Sequence, residues 1–179
     1  MTTYLIYDDA LRSPELRHEI AEPIGDPVLF IEHEGKRTVV AGVFEVPMLA
    51  TREDVVDDVW DFDDLGYDEL ITDTSFPEVH IGPELIVRAL RRVGAQKVCV
   101  PATFWALAAD YLRDKGVDVV VDPDEWARRR RRKTPWELEG IERAQRATET
   151  AMLTAARMLR EAEPAPDDRL RCEGEILTS

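Results

Sequence analysis

The residues that could carry chemistry in this sequence are few and widely spaced. Asp61, Asp63 and Gly66 match the first, third and sixth positions of an EF-hand loop, whose carboxylates would bind Ca²⁺. The fifth and twelfth positions of such a loop fall on Leu65 and Thr72, and neither side chain can supply the ligand required there. We therefore interpret this acidic cluster as a solvated surface.

Histidine and serine chemistry is equally sparse. His18, His33 and His80 have no His or Cys partner at metal-ligand spacing, so each is predicted to be a surface or turn residue. Ser13 and Ser75 lack the flanking glycines of a nucleophile elbow, and the chain has no Gly-rich phosphate loop. We predict no catalytic residue and no metal ligand, and we assign no substrate-binding residue.

The two cysteines, Cys99 and Cys172, are too few and too far apart for a disulfide framework or a metal site. Cys99 lies in the apolar run KVCV and is predicted to be a buried thiol. Cysteine usage therefore adds no candidate site.

The strongest local charge pattern is the basic run RRRRRK at residues 128–133. Such runs often bind nucleic acid, but the chain has a net charge of −14 and a pI of about 4.6, so its overall field repels phosphate and anionic lipid. We predict no nucleic-acid partner. The run is interpreted as a solvated, extended connector whose charges offset its acidic neighbours.

Membrane and export patterns are not visible in the sequence. No apolar stretch approaches the roughly 18 residues that suggest a membrane-spanning helix. The opening MTTYLIYDD has no basic region of the kind that begins a secretory signal. We expect no membrane partner and a cytoplasmic location.

The elements that would position a site alternate between strands and helices. Strands are predicted at residues 4–7, 28–32, 37–46, 97–100 and 117–121, and the second and third form a hairpin. Helices are predicted at residues 13–21, with Ser13 as N-cap, at 82–93, ended by Gly94, and at 103–115. This alternation predicts an α/β fold, and the antiparallel hairpin makes its sheet mixed.

The sequence pattern changes after the basic run. Thr134, Pro135 and Glu137 form a complete helix start, with Thr as N-cap, Pro at the first helical position and Glu closing a capping box. Apolar residues spaced by threes and fours over residues 138–159 predict one long amphipathic helix that runs to about residue 163.

The junction KTPWELEGIERA, residues 133–144, resembles the domain junction of the creatinase and Xaa-Pro dipeptidase (prolidase, aminopeptidase P) family. In that family a ribonuclease-H-like N-terminal domain precedes a basic Lys-Ser/Thr-x-x-Glu junction and the first helix of a pita-bread catalytic domain. The hairpin PVLFIEHEGKRTVVAGVFE and the stretches VGAQKVCVP and KGVDVVVD resemble that N-terminal domain. LRCEGEILTS, residues 170–179, resembles the Gly-Glu-x-Leu-Thr-Ser start of the second catalytic helix.

The resemblance implies three segments. Residues 1–125 would be the ribonuclease-H-like N-terminal domain with its mixed sheet, residues 126–134 a basic linker, and residues 135–179 the truncated start of the metallopeptidase domain. The hydrolytic centre of the family holds two divalent metals (Mn, Co or Zn) on two Asp, one His and two Glu, all beyond this helix. No ligand is carried over to this chain, which is expected to be inactive alone.

The implied function is therefore that of a non-catalytic N-terminal portion. It would contribute substrate access and dimer contacts to a homodimeric enzyme that cleaves Xaa-Pro bonds of peptides with metal-activated water. The apolar stripe of the long helix lacks its partner, which suggests a fragment or truncated product without the C-terminal catalytic domain. Two alternatives remain open, a stand-alone binding or oligomerisation module and part of a metal-independent creatinase-type hydrolase.

Overall fold

The computed structural model describes residues 2–166 and 169–177. The chain divides into two compact units, Met1–Lys133 and Thr134–Ser179.

The first unit alternates strands and helices along the chain. Its strands are β1 (Thr3–Asp8), β2 (Val28–His33), β3 (Lys36–Ala41), β4 (Asp58–Asp61), β5 (Lys97–Val100) and β6 (Asp118–Val121). Its α-helices are α1 (Pro14–Ile20), α2 (Val46–Leu49), α3 (Tyr67–Thr72), α4 (Ile81–Val93), α5 (Ala106–Asp114) and α6 (Pro123–Arg129). Two short 3₁₀ turns, Phe62–Leu65 and Glu78–His80, flank α3.

The six strands form one sheet in the order β4-β3-β2-β1-β5-β6. β1 pairs antiparallel with β2 and parallel with β5, and β2 pairs antiparallel with β3. The outer pairs β3–β4 and β5–β6 are parallel, so β2 alone runs against the other five strands. The predicted α/β class and mixed sheet are confirmed.

Hydrophobic side chains cover both faces of this sheet. One cluster joins alternate residues of β1 and β2, such as Leu5 and Ile31, to the apolar faces of α4 and α5. The other joins the opposite alternation, such as Ile6 and Phe30, to α1, α2 and Trp126 of α6. Because strand side chains alternate between faces, a strand that is apolar at every position becomes the middle layer between helices.

Local signals explain most of the helix boundaries. The Ser13 hydroxyl accepts a hydrogen bond from the Leu16 N–H at 3.2 Å, and Pro14 occupies the first position of α1, as predicted. Gly94 ends α4 in the left-handed conformation with φ of 79°, which a residue with a side chain rarely adopts.

Two predicted boundaries are wrong, and one strand was not predicted. The strand predicted at residues 37–46 ends at Ala41, because the chain turns at Gly42 and begins α2 with Pro47 in its first turn. The helix predicted from Thr103 begins only at Ala106. A strand, β4, lies inside the acidic segment, where no strand was predicted.

The extended, solvated connector predicted at the basic run is also wrong for its first residues. Residues 123–129 form helix α6, which begins with Pro123 and is capped by Asp122, whose carboxylate accepts from the Glu125 N–H at 2.9 Å. Trp126 is buried, and its ring meets Tyr4 edge-on at 5.7 Å between centroids. The helix is therefore packed on the sheet by an aromatic anchor.

Arg129 links α6 to two carboxylates of the first unit. Its guanidinium donates to Glu19 at 2.7 Å and to Glu32 at 2.6 Å, and it stacks on the Tyr4 ring at 4.1 Å. Arg37 reaches Glu19 as well, at 3.0 Å. Burial disfavours the charged guanidinium, but the hydrogen bonds to Glu19 and Glu32 outweigh it and raise the pKa of Arg129. The first arginines of the run thus stabilise the domain.

The second unit begins with α7 (Pro135–Glu161), the predicted long helix. Its capping box is confirmed: the Thr134 hydroxyl accepts from the Glu137 N–H at 3.2 Å, and the Glu137 carboxylate accepts from the Thr134 N–H at 2.8 Å.

A small antiparallel sheet follows in the order β7-β8-β9. Its strands are β7 (Glu163–Ala165), β8 (Arg169–Cys172) and β9 (Glu175–Ile176). The described part of LRCEGEILTS thus contributes two strands, and its last two residues, Thr178 and Ser179, lie outside the described residues.

No helix in the described part of the chain is both long and apolar enough to cross a bilayer.

Candidate functional site

A cleft of about 770 Å³ opens at one edge of the sheet in the first unit. Tyr7 near the carboxyl end of β1 and Trp105 after β5 line it, together with the first residues of α4. The carboxyl ends of the parallel strands meet at this edge, which we call the C-terminal edge. Open α/β sheets place their ligand sites outside this edge, so the cleft is the candidate functional site.

Aromatic and aliphatic side chains make most of the cleft wall. Tyr67, Leu70 and Ile71 come from α3, and Phe76 and Val79 come from the connection to α4. These residues are placed here because the chain stays at the C-terminal edge between the end of β4 and the start of α4.

Gly82, in the first turn of α4, allows Tyr7 to approach the helix. A Cβ at position 82 would lie 2.9 Å from the Tyr7 hydroxyl oxygen and 3.2 Å from its ring, which is closer than such contacts allow. Burial, with a smaller contribution from nearby Tyr67, raises the pKa of Tyr7. Tyr7 is therefore a neutral phenol at physiological pH, packed between the strand and the helix.

The charged residues that line the cleft are acidic. Asp73 accepts hydrogen bonds from the Ser75 hydroxyl at 2.6 Å and the Ser75 N–H at 2.9 Å, and these lower the pKa of Asp73. Glu78 also lines the cleft, and among the described residues its carboxylate has no hydrogen bond or ion pair. No Lys or Arg is among the described lining residues. The charge of the cleft therefore favours a cation.

Exposed apolar side chains surround this edge beyond the cleft. Phe44 is 88% exposed and Val43 63% exposed, both directly after β3, and Leu11 is exposed after β1. Among the described residues of the first unit, most other exposed large hydrophobic side chains also follow the carboxyl end of a strand: Tyr67, Ile71 and Val79 lie between β4 and α4, and Trp105 lies after β5. Exposed apolar patches of this kind mark interaction surfaces.

The three histidines lie apart from one another, in separate elements of the first unit. His33 lies at the end of β2 and bonds the Thr3 hydroxyl at 2.8 Å, while His80 stacks on Tyr111 at 5.0 Å. His18 lies in α1.

The serines and the acidic cluster have local structural roles. Ser13 caps α1 and Ser75 bonds Asp73. Asp61 caps the 3₁₀ turn that follows β4, through a capping box with Asp64. Within residues 2–166 and 169–177, no three His, Cys, Asp or Glu side chains are grouped so that they could hold a metal ion. The histidine and acidic side chains of the described residues therefore form no metal-binding cluster.

Cys99 is buried, as predicted, and its thiol is unpaired. Burial, with Asp122 nearby, raises the pKa of the Cys99 thiol, so the thiol stays protonated and a poor nucleophile.

Sequence reasoning missed the cleft. The available signal was an aromatic residue at or a few residues beyond the carboxyl end of three strands: Tyr7 in β1, Tyr67 after β4 and Trp105 after β5. These positions converge only once the strand order is known, because β1 pairs with β5, which lies about 90 residues later in the chain.

The second unit offers a different surface. No described residue of α7 is buried, and Leu138, Ile141 and Leu159 of its apolar stripe are exposed. A helix with such a stripe needs a partner surface for its apolar face.

No protein-family model matches this chain, and a search of curated proteins found no match.

Proposed function

We propose that this chain is the non-catalytic N-terminal portion of a hydrolase of the creatinase and Xaa-Pro dipeptidase type. The whole protein would hydrolyse peptides at Xaa-Pro bonds, as a cytoplasmic homodimer. This chain would contribute the walls of substrate access and contacts between subunits.

The observation that carries the proposal is the junction at Lys133 and Thr134. The first compact unit ends at Lys133, and the capping-box helix begins with the next residues, in the motif KTPWELEGIERA that carries the resemblance. The exposed stripe of α7 is also in keeping with the first helix of a larger domain, because such a helix would be covered by the rest of that domain.

The sheet supports a ribonuclease-H-like first domain. Its five-stranded part β3-β2-β1-β5-β6 is mixed, with β2 alone antiparallel, in keeping with the mixed sheet expected of such a domain, and β4 extends it by one parallel strand. A fold of this kind carries no activity by itself, so ribonuclease activity does not form part of the proposal.

The C-terminal edge fits the role of substrate access. It carries the cleft and exposed apolar residues such as Phe44 and Trp105. Edges of this kind receive ligands in α/β proteins, and a peptide or a second subunit would cover the same apolar surface.

The two divalent metals of the resemblance do not fit the described residues of this chain. No group of three potential ligands lies together in the part of the chain that the structure describes. We therefore assign no hydrolytic step to these residues, and the metals would belong to the remainder of the whole protein.

The proposal is tested by the intact mass of the native product in its source cells, captured with an antibody against the first unit. The expected result is a species much heavier than 20.4 kDa that contains this sequence. A native product of 20.4 kDa alone would contradict the proposal.

A second candidate function, a stand-alone oligomerisation module, is favoured by the exposed stripe of α7. The stripe would then be covered by a second copy. Light scattering of the purified chain distinguishes the two candidate functions. An oligomerisation module should show a mass that rises with protein concentration to twice 20.4 kDa, and Ile141→Glu should return that mass to 20.4 kDa. The metal-independent creatinase-type alternative differs only in residues beyond this chain.

A further inference from the structure

We propose that the cleft at the C-terminal edge binds a small organic cation, a quaternary or alkylated ammonium compound. The proposal depends on the cleft itself and not on the family, so it goes beyond the proposed function.

The size and walls of the cleft suit such a ligand. Its volume of about 770 Å³ lies within the range of small-molecule sites. Tyr7, Tyr67, Phe76 and Trp105 all contribute to its lining. Faces of aromatic rings attract ammonium groups through the ring quadrupole, and Trp does so most strongly.

The charged residues around the cleft favour a positively charged ligand. Glu78 lines the cleft without a partner among the described residues, whereas Asp73 is held by Ser75. No Lys or Arg occurs in the sequence between Arg52 and Arg88, which includes most of the cleft wall. A cation therefore meets both an attractive local carboxylate and a negative surrounding field.

An anionic ligand is disfavoured by the same residues. The first turn of α4 borders the cleft, and helix N-termini attract anions, but that turn contains no Lys or Arg, and its one charged residue, Glu84, is paired with Arg88 at 3.3 Å. Glu78 and Asp73 would repel an anion further. A ligand group that is both apolar and positively charged would therefore make the most favourable contacts with the aromatic side chains of the cleft.

The probe is choline, and its control is 3,3-dimethylbutan-1-ol, which has the same shape without the charge. Both are titrated into the full chain at low ionic strength, and the indole N–H signals of the four Trp residues are followed by NMR. We expect choline to shift the Trp105 signal and to bind about tenfold more tightly than the neutral alcohol. The Trp126 signal, on α6 against the opposite face of the sheet, should stay unchanged.

Two pairs of variants locate the site. Glu78→Gln should weaken choline binding about threefold, whereas Glu34→Gln, the same change in the β2–β3 turn at the opposite edge of the sheet, should leave it unchanged. Tyr67→Leu should weaken it about tenfold, and Phe44→Leu, at an exposed aromatic residue outside the cleft lining, should not. Each variant is exposed at the substituted position, and its folding is checked by the far-UV spectrum.

Three results would overturn the proposal. Equal affinity for choline and the neutral alcohol would mean an apolar pocket without cation selectivity. No shift of Trp105 up to about 50 mM choline would mean no site. Binding of the peptide Ala-Lys-Ala without binding of choline would show that the cleft takes a peptide side chain instead.

Discussion

Replacement of Arg129 by Ala should destabilise the first unit by about 3 kcal/mol. The change removes hydrogen bonds to Glu19 and Glu32 and the stacking on Tyr4. Breaking a buried ion pair costs roughly 3–5 kcal/mol. Glu19 is only 2% exposed but keeps Arg37 at 3.0 Å, so the loss should fall at the lower end of that range.

The measurement is urea unfolding of the full chain followed by tryptophan fluorescence, in which buried Trp126 reports on α6. With a slope of about 1.5 kcal/mol per molar urea, a loss of about 3 kcal/mol lowers the midpoint by roughly 2 M. Arg129→Lys should lose about 1–2 kcal/mol, because an ammonium keeps the charge but cannot bridge two carboxylates as a guanidinium does.

Arg131→Ala is the matched control within the same basic run. Arg131 is exposed, and its side chain has no hydrogen bond or ion pair among the described residues, so its replacement by Ala should change stability by less than about 0.5 kcal/mol. If Arg129→Ala and Arg131→Ala shifted the midpoint equally little, the run would be a solvated connector after all, and the packing of α6 inferred here would be wrong.

Three further predictions concern local packing, capping and titration. Gly82→Ala should lower the urea midpoint, because the added Cβ would collide with Tyr7. Gly140→Ala is the contrasting change: a Cβ there has no neighbouring atom nearer than 3.8 Å, so it should raise the stability of α7 by about 1 kcal/mol. Thr134→Ala should cost α7 about 1 kcal/mol and speed hydrogen exchange in its first turn, whereas unchanged exchange would contradict the capping role. Burial and a hydrogen bond to a glutamate raise the pKa of Tyr111 to about 12, so it should be the last tyrosine to ionise in a titration at alkaline pH. Because its folded pKa lies above the unfolded value of about 10, its stabilising contribution is complete below pH 10 and is lost as the pH rises towards 12, and Tyr111→Phe should flatten that loss.

The sequence was sufficient wherever one local signal determined the structure. Ser13 with Pro14 and Thr134 with Glu137 predicted two helix starts, because caps satisfy backbone N–H groups within three or four residues. Gly94 predicted the end of α4 for an equally local reason.

The sequence was insufficient where contacts between residues distant in the chain determine the structure. Helix α6 had a local start signal in Asp122 and Pro123, but its apolar face is little more than Trp126, so periodicity could not reveal it. Its packing depends on Glu19 and Glu32, which lie about 100 residues earlier in the chain.

The candidate site shows the same limit. Tyr7, Tyr67 and Trp105 come together only through the order of the strands and the path of the chain between β4 and α4. Nothing in their own neighbourhoods specifies that meeting.

The most direct test of the proposed hydrolase is a peptidase assay on the native protein, captured from its source cells with an antibody against the first unit. Ala-Pro is the substrate, Ala-Ala is the control, and Mn²⁺ is supplied or removed with a chelator. We predict metal-dependent hydrolysis of Ala-Pro by the native protein and none by the 179-residue chain alone. A native protein that leaves Ala-Pro intact with Mn²⁺, Co²⁺ and Zn²⁺ alike would contradict the proposal, as would activity of the 179-residue chain by itself.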